Sequence, residues 1–225
     1  MHFTILLPPS EGKVLRGTGA AKTYWTALSR HLLQECTSGD PEKLYSTRRA
    51  EAVSLNADAL TAPTMPAIER YSGVVYKALD YNSLEAKEQE YINNHVRIEC
   101  ALFGLVPPQE PIPNYVLSIT KLQCAKLWLD TNSRLLHKSF VLDLLPAAHR
   151  KAVLYRNGLA IDFTTNRNGS TKLTGHEGKR IKGVYVRWLA QNLVTSQDQA
   201  LQFSEDGYKW NGKTFHQNNA PKKKQ

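Results

Sequence analysis

The turn Pro8-Pro9-Ser10-Glu11-Gly12-Lys13 carries the first chemistry in this chain. It follows a short apolar run and can present backbone N–H groups, the Ser10 hydroxyl and the Lys13 ammonium together, a set that suits an anion. The first glycine and the spacing of a Walker A loop are missing, so the turn does not read as a nucleotide P-loop. A second cluster, Gly178-Lys179-Arg180-Ile181-Lys182-Gly183 with Arg187 further on, opens an amphipathic helix. Helix N-termini attract anions, and cations there are unfavourable for the helix itself. The placement of Lys179, Arg180 and Lys182 therefore points to a ligand or partner that offsets the repulsion. Between these clusters Arg150, Lys151, Arg156, Arg167 and Lys172 flank strands and turns, with Tyr155 and Phe163 interleaved. Basic residues with aromatics can follow a phosphate backbone and stack bases. Tyr76, Tyr115 and Ser118 lie near Gly- and Pro-rich turns, where ligands of α/β folds bind.

Other chemistries find no support in the sequence. No Ser/His/Asp arrangement has usable spacing, and Glu88 with Glu90 reads as a solvated helix face. The seven histidines form no H-E-x-x-H motif or close pair, so no metal and no cofactor is expected. Cys36, Cys100 and Cys124 are far apart with no C-x-x-C pair. They predict buried thiols in a reducing compartment rather than a disulfide framework.

These residues need a scaffold. Phe3–Leu7 reads as a buried strand stopped by Pro8-Pro9. Helices are predicted over 21–35, over 41–60 with an interruption near Ser54–Asn56, over 84–96, 121–136 and 178–193. Strands are predicted at Gly73–Tyr76, Ile98–Val106 and Phe140–Leu144. Two more, Val153–Tyr155 and Ala160–Thr164, are expected to turn on Asn157-Gly158. Asn166–Gly175 reads as a polar loop and 217–225 as a basic disordered tail. The alternation predicts one α/β domain with a mixed sheet over 1–216.

The chain of 225 residues has a formal net charge of +9. Residues 1–147 balance 15 basic against 15 acidic residues, whereas residues 148–190 hold nine basic residues against Asp162 and Glu177. A neutral body with one cationic segment predicts an anionic partner, either DNA or a small nucleotide-like ligand. No apolar stretch approaches the roughly 20 residues of a membrane span. The start Met1-His2-Phe3 lacks a basic n-region and a cleavage site, so a cytoplasmic protein is expected. Oligomeric state is not legible.

Several segments together resemble the YaaA family of peroxide-stress proteins: Ile5–Lys13, Arg70–Asp80, Ala101–Val106 with Pro108, Ile112–Ser118, Val141–Leu144, Lys179/Lys182/Gly183 and Glu205–Tyr208. They occur in family order over about residues 3–210. The resemblance implies a bacterial protein with a single α/β domain of unusual topology. It also implies a role in limiting oxidative damage through DNA binding and restraint of free iron. A helix-hairpin-helix-like element, which 41–60 would supply, and a cationic cleft, which 148–190 would supply, belong to that implication. The chain departs from the family at Pro107 and Val116, where arginine is usual. It departs again at Pro146, where serine is usual, and near His149, where tyrosine is usual.

Three readings follow. One is a DNA-binding stress protein. The second is an enzyme acting on a nucleobase, nucleotide or other small anion, with Ser10, Lys13, Tyr76, Tyr115, Lys179 and Lys182 converging on a pocket. The third is a family remnant kept for partner contacts.

Overall fold

The computed structural model describes residues 2–45, 49–167, 170–173 and 175–217, with backbone alone for Arg49, Arg167 and 170–173. In chain order the elements are β1 (His2–Leu7), β2 (Gly19–Ala21), α1 (Ala27–Ser38), α2 (Pro41–Leu44), α3 (Arg49–Asp58), β3 (Pro63–Pro66), α4 (Ala67–Arg70), α5 (Val74–Leu79) and α6 (Ala86–His95). They continue with β4 (Val96–Cys100), β5 (Gly104–Val106), β6 (Pro111–Ile112), α7 (Cys124–Leu136), β7 (Ser139–Asp143), β8 (Asn157–Ala160), β9 (Phe163–Arg167) and β10 (Ser170–Leu173). The last are α8 (His176–Gln191), α9 (Gln197–Ala200), β11 (Tyr208–Trp210) and β12 (Phe215–Gln217). The expected mixed α/β class is what the chain adopts.

The main sheet has the order β5-β4-β1-β7-β8. β1 lies at its centre, parallel to both β4 and β7, because Phe3-Thr4-Ile5-Leu6-Leu7 is buried on both faces and needs cover on each. β8 adds parallel to β7, and β5 folds back antiparallel on β4. The predicted Ile98–Val106 strand is therefore two strands, turned where Gly104 takes φ +75°, a conformation side-chain-bearing residues disfavour.

Pleat alternation divides the core. Ile5, Leu7, Ile98, Cys100 and Leu142 join the large cluster with α5, α6 and α8, while Leu6 and Val141 pack with Leu105, Leu136, Leu145 and Val153 on the other side. A four-stranded sheet, β10-β9-β12-β11, docks on α8 through aromatic edges. The Tyr185 ring of α8 lies with its centroid 5.8 Å from that of Phe163 on β9 and 5.2 Å from that of Phe215 on β12. β2, β3 and β6 form a small third sheet.

Several local expectations are corrected. Gly73–Tyr76 is not a strand: Val74–Leu79 is α5, pressed on α8 so closely that a Cβ at Gly183 would meet the Val75 carbonyl oxygen at 2.2 Å. That packing outweighs the β preference of the paired valines. Asn157-Gly158 is not a turn. It lies inside β8, and Gly158 lets the strand pass β7 where a Cβ would stand 2.4 Å from the Val141 carbonyl oxygen. Val153–Tyr155 is irregular. The expected loop 166–175 contains the end of β9 and all of β10, with 168–169 and 174 outside the described residues.

The run 41–60 divides into α2 and α3, and Ser54–Asn56 is continuous helix. The segment joining the two, 46–48, lies outside the described residues. Residues 21–35 give α1 only from Ala27, where Thr26 caps the first turn by accepting from the Ser29 amide. The helix expected from 121 begins at Cys124, because Leu122 and Gln123 take φ of 49° and 54°. Gln217 belongs to β12, and the remainder of the expected tail, 218–225, is outside the described residues.

Candidate functional site at the carboxyl ends of the parallel strands

β1, β4 and β7 run in the same direction, so the segments that leave their carboxyl ends meet along one sheet edge. That edge is where parallel α/β sheets place ligands. From β1 comes the Pro8–Lys13 turn. Its far end is pinned to the segment before α5: Ser72 N–H donates to Gly12 O at 3.0 Å, Val14 N–H to Arg70 O at 2.9 Å, and Lys13 bridges Tyr71. Arg70 is itself fully buried and donates to the carbonyls of Val14, Pro63 and Ile112. It ties the turn to β3 and β6 without a carboxylate.

This anchoring sets the Lys13 ammonium against two ring faces, 4.7 Å from the Tyr115 centroid and 5.4 Å from that of Tyr71. The Tyr71 and Tyr115 hydroxyls are 3.2 Å apart, and Tyr115 Oη is 2.9 Å from Cys100 Sγ at the end of β4. Tyr76 stacks beside Tyr71 and donates to Pro8 O at 2.8 Å. Burial pushes the Lys13 ammonium down to about 8, with the Arg70 guanidinium assisting and the Glu11 carboxylate opposing. Burial also raises the Tyr71, Tyr76 and Tyr115 hydroxyls well above the ordinary phenol range and raises the Cys100 thiol, so all four stay protonated near neutral pH.

The neighbouring strand positions point to the other face. Glu99 is fully buried and paired through one carboxyl oxygen with His149 Nδ1, while its second oxygen, Oε1, has no partner. Burial raises the Glu99 carboxyl, and the His149 hydrogen bond opposes that rise. Asp143, at the end of β7, accepts from the Leu145 amide at 2.8 Å, Arg150 Nε at 3.1 Å and the Tyr155 hydroxyl at 3.1 Å. Arg150 also bonds Asp162 through both terminal nitrogens. From α8, Lys182 Nζ donates to Leu144 O at 2.6 Å. Burial pushes that ammonium too down to about 8, with Asp162 and Asp143 opposing and Arg150 assisting.

Of the residues singled out by type and spacing, Lys13, Tyr76 and Tyr115 are thus in one cluster. Ser10 stands beside Gly73, where a Cβ would meet its Oγ at 2.1 Å. Lys182 reaches the same sheet edge from α8, and Lys179, one turn earlier, is exposed. Ser118 is exposed and bonded to Thr120. The cationic segment is not one surface. Arg150 is consumed by Asp143 and Asp162, and Arg180 by Glu177 and Asp206. Arg187 bonds the carbonyls of Leu79 and Asp80 and the Ser83 hydroxyl. Lys151, Arg156 and Lys179 remain exposed, while the side chains of Arg167 and Lys172 lie outside the described residues.

A model for the peroxide stress protein YaaA matches residues 3–214 of this fold. The chain belongs to the YaaA family. It is 33% identical over 215 residues to a UPF0246 protein of Corynebacterium glutamicum strain R, covering 83% of this chain and 84% of that one. It is 26% identical over 200 residues to a UPF0246 protein of Streptococcus gordonii, covering 82% of each. A UPF0246 protein of Francisella philomiragia is 28% identical over 169 residues, covering 68% of this chain and 66% of that one. The chain therefore spans about two thirds of that relative's length.

Two departures from the YaaA pattern acquire a place in the structure. His149 is the partner of Glu99. Val116 has its N–H and C=O both held by the Asn56 amide, at 2.9 Å and 2.8 Å. Sequence reasoning missed Tyr71, Glu99, Asp143 and the Glu99–His149 pair. A signal existed in Arg97-Ile98-Glu99-Cys100 and Val141-Leu142-Asp143-Leu144: a carboxylate set inside an apolar strand must find a buried partner.

Proposed function

We propose that this YaaA-family protein serves peroxide defence in the cytoplasm as an enzyme on a nucleobase, nucleotide or other small anionic substrate, bound at the carboxyl edge of the main sheet. The observation that carries this reading is the pair of sunken ammonium groups. Burial pushes the ammonium of Lys13, on the turn after β1, and that of Lys182, against Leu144 just after β7, both down to about 8. Lysines so tuned exchange protons or attack electrophiles at physiological pH. Titration calorimetry against free bases, nucleosides and nucleotides tests it. Binding that is lost in both Lys13→Ala and Lys182→Ala is expected, and equal binding in the wild type and both variants would remove the reading.

DNA binding with restraint of free iron is the second reading, favoured by family membership and by the exposed cations Lys151, Arg156 and Lys179. Affinity for duplex DNA then falls steeply with salt, at about −0.9 log units per log unit of salt for each phosphate neutralised. Replacing the three cations by glutamine reduces that slope by up to about 3 at constant fold. A slope unchanged by the triple variant removes this surface from the reading. Among the described residues no group of three or more His, Cys, Asp or Glu side chains could hold a metal ion, and no helix is long and apolar enough to cross a membrane.

A further inference from the structure

Helices α5 and α8 touch at Gly183, and beside that contact they enclose a groove of about 590 Å³. Helical spacing selects its lining. Val74, Lys77 and Ala78 share one face of α5 at i, i+3 and i+4, and His176, Arg180 and Val184 share one face of α8 at i, i+4 and i+8. The two valines and Ala78 supply apolar surface. The other three side chains offer N–H donors, and among the described residues no carboxylate lines the groove.

These donors are open to a ligand. The side chains of Lys77 and His176 are exposed and have no hydrogen bond or ion pair among the described residues. Arg180 is held by Glu177 and Asp206 through Nε and Nη2, which leaves Nη1 unbonded. Those carboxylates fix the guanidinium and offset its charge, so Lys77 carries the free positive charge at the rim. From His176 to Val184 the α8 wall is about 12 Å long, at 1.5 Å per residue. That length takes one ring and its anionic group, not a run of nucleotides. The carboxyl-terminal end of the chain, with Lys222, Lys223 and Lys224, has the wrong charge to fill it.

We propose that the α5/α8 groove binds a small organic anion with an apolar body, of the class of an aryl phosphate. The apolar body lies over Val74, Ala78 and Val184, and the phosphate oxygens accept from Lys77, His176 and Arg180 Nη1. Neither Lys13 nor Lys182 lines the groove, so this site stands or falls apart from the one at the sheet edge.

Methyl-resolved NMR of the full-length protein, titrated with phenyl phosphate, tests the assignment. The Val74, Ala78 and Val184 methyl signals are expected to shift and saturate together. Inorganic phosphate alone and benzyl alcohol alone are each expected to bind about tenfold more weakly or worse, since each leaves half of the groove unserved. Lys77→Gln is expected to weaken phenyl phosphate about threefold to fivefold, as suits one screened charge pair, and Lys77→Arg to restore it. Lys126→Gln, which removes the same charge from the exposed face of α7, is expected to change nothing. Both lysines are exposed, so these variants keep the fold. Inorganic phosphate that binds as tightly as phenyl phosphate overturns the proposal, as do methyl shifts confined to other residues or equal effects of Lys77→Gln and Lys126→Gln. A thymidylate oligonucleotide that shifts the three methyl signals where phenyl phosphate does not makes the groove part of a nucleic-acid surface and overturns it too.

Discussion

The two faces of the main sheet handle buried charge in opposite ways. On the α7 face, Asp143 and Glu99 are fully buried but have partners: Asp143 is held by Arg150, Tyr155 and a backbone amide, and Glu99 by His149. On the α5/α8 face, Lys13 lies on tyrosine rings with no carboxylate in contact. Buried pairs hold a structure in register, because removing one partner strands the other. A cation left without a counter-charge gains little for the fold, and its cost is tolerated where a ligand supplies what is missing. The contrast separates framework from site along a single sheet edge.

The comparison breaks most visibly at Asp143. Asp143→Ala leaves Arg150 and Tyr155 without their shared acceptor and is expected to destabilise by about 3–5 kcal/mol, read from urea unfolding. A loss within experimental error would mean that the α7 face is not framework. His149→Ala comes next, at about 1–3 kcal/mol, since it leaves both Glu99 oxygens unpaired. The loss should be larger at pH 8 than at pH 5. Glu99 has a raised folded value, so its contribution is most favourable below the unfolded carboxyl value and is lost as pH rises through the folded one. Equal losses at both pH values would show that Glu99 is not the group responsible.

Lys13→Met is the smallest and carries the opposite sign. The Lys13 ammonium is pushed down from 10.5 to about 8, so between those values the unfolded chain binds more protons than the folded one. Wild-type stability therefore gains from this group as pH rises from 8 to 10.5. The methionine variant should show a slightly higher denaturation midpoint at pH 7 and a flatter climb above pH 8. A lower midpoint at pH 7 would make Lys13 a structural residue and blunt the distinction between the faces.

Much of the fold was legible in local pattern. The run Phe3–Leu7 is apolar at every position but Thr4, and only a central strand buries such a segment on both faces. The helices expected over 121–136 and 178–193 form as α7 and α8 within three residues of those bounds, because helical periodicity survives whatever the helix packs against. Strand-like Val74-Val75 failed because its conformation is set by Gly183, more than 100 positions away, which admits α5 against α8. Asn157-Gly158 failed similarly: the glycine answers to a close neighbour strand, not to a turn. The candidate site divides along the same line. Lys13, Tyr76, Tyr115 and Lys182 could be chosen by type, but Arg150, Arg180 and Arg187 shared their type and are engaged within the fold.

The residues alone determined the fold class, the family and the cationic segment, since composition, periodicity and ordered motifs are properties of the chain itself. Tertiary structure decided which charges remain available. Strand alternation turned Glu99 and Cys100 to opposite faces, and burial without a counter-charge singled out Lys13, because desolvation depends on what surrounds an atom in space and not on its neighbours along the chain.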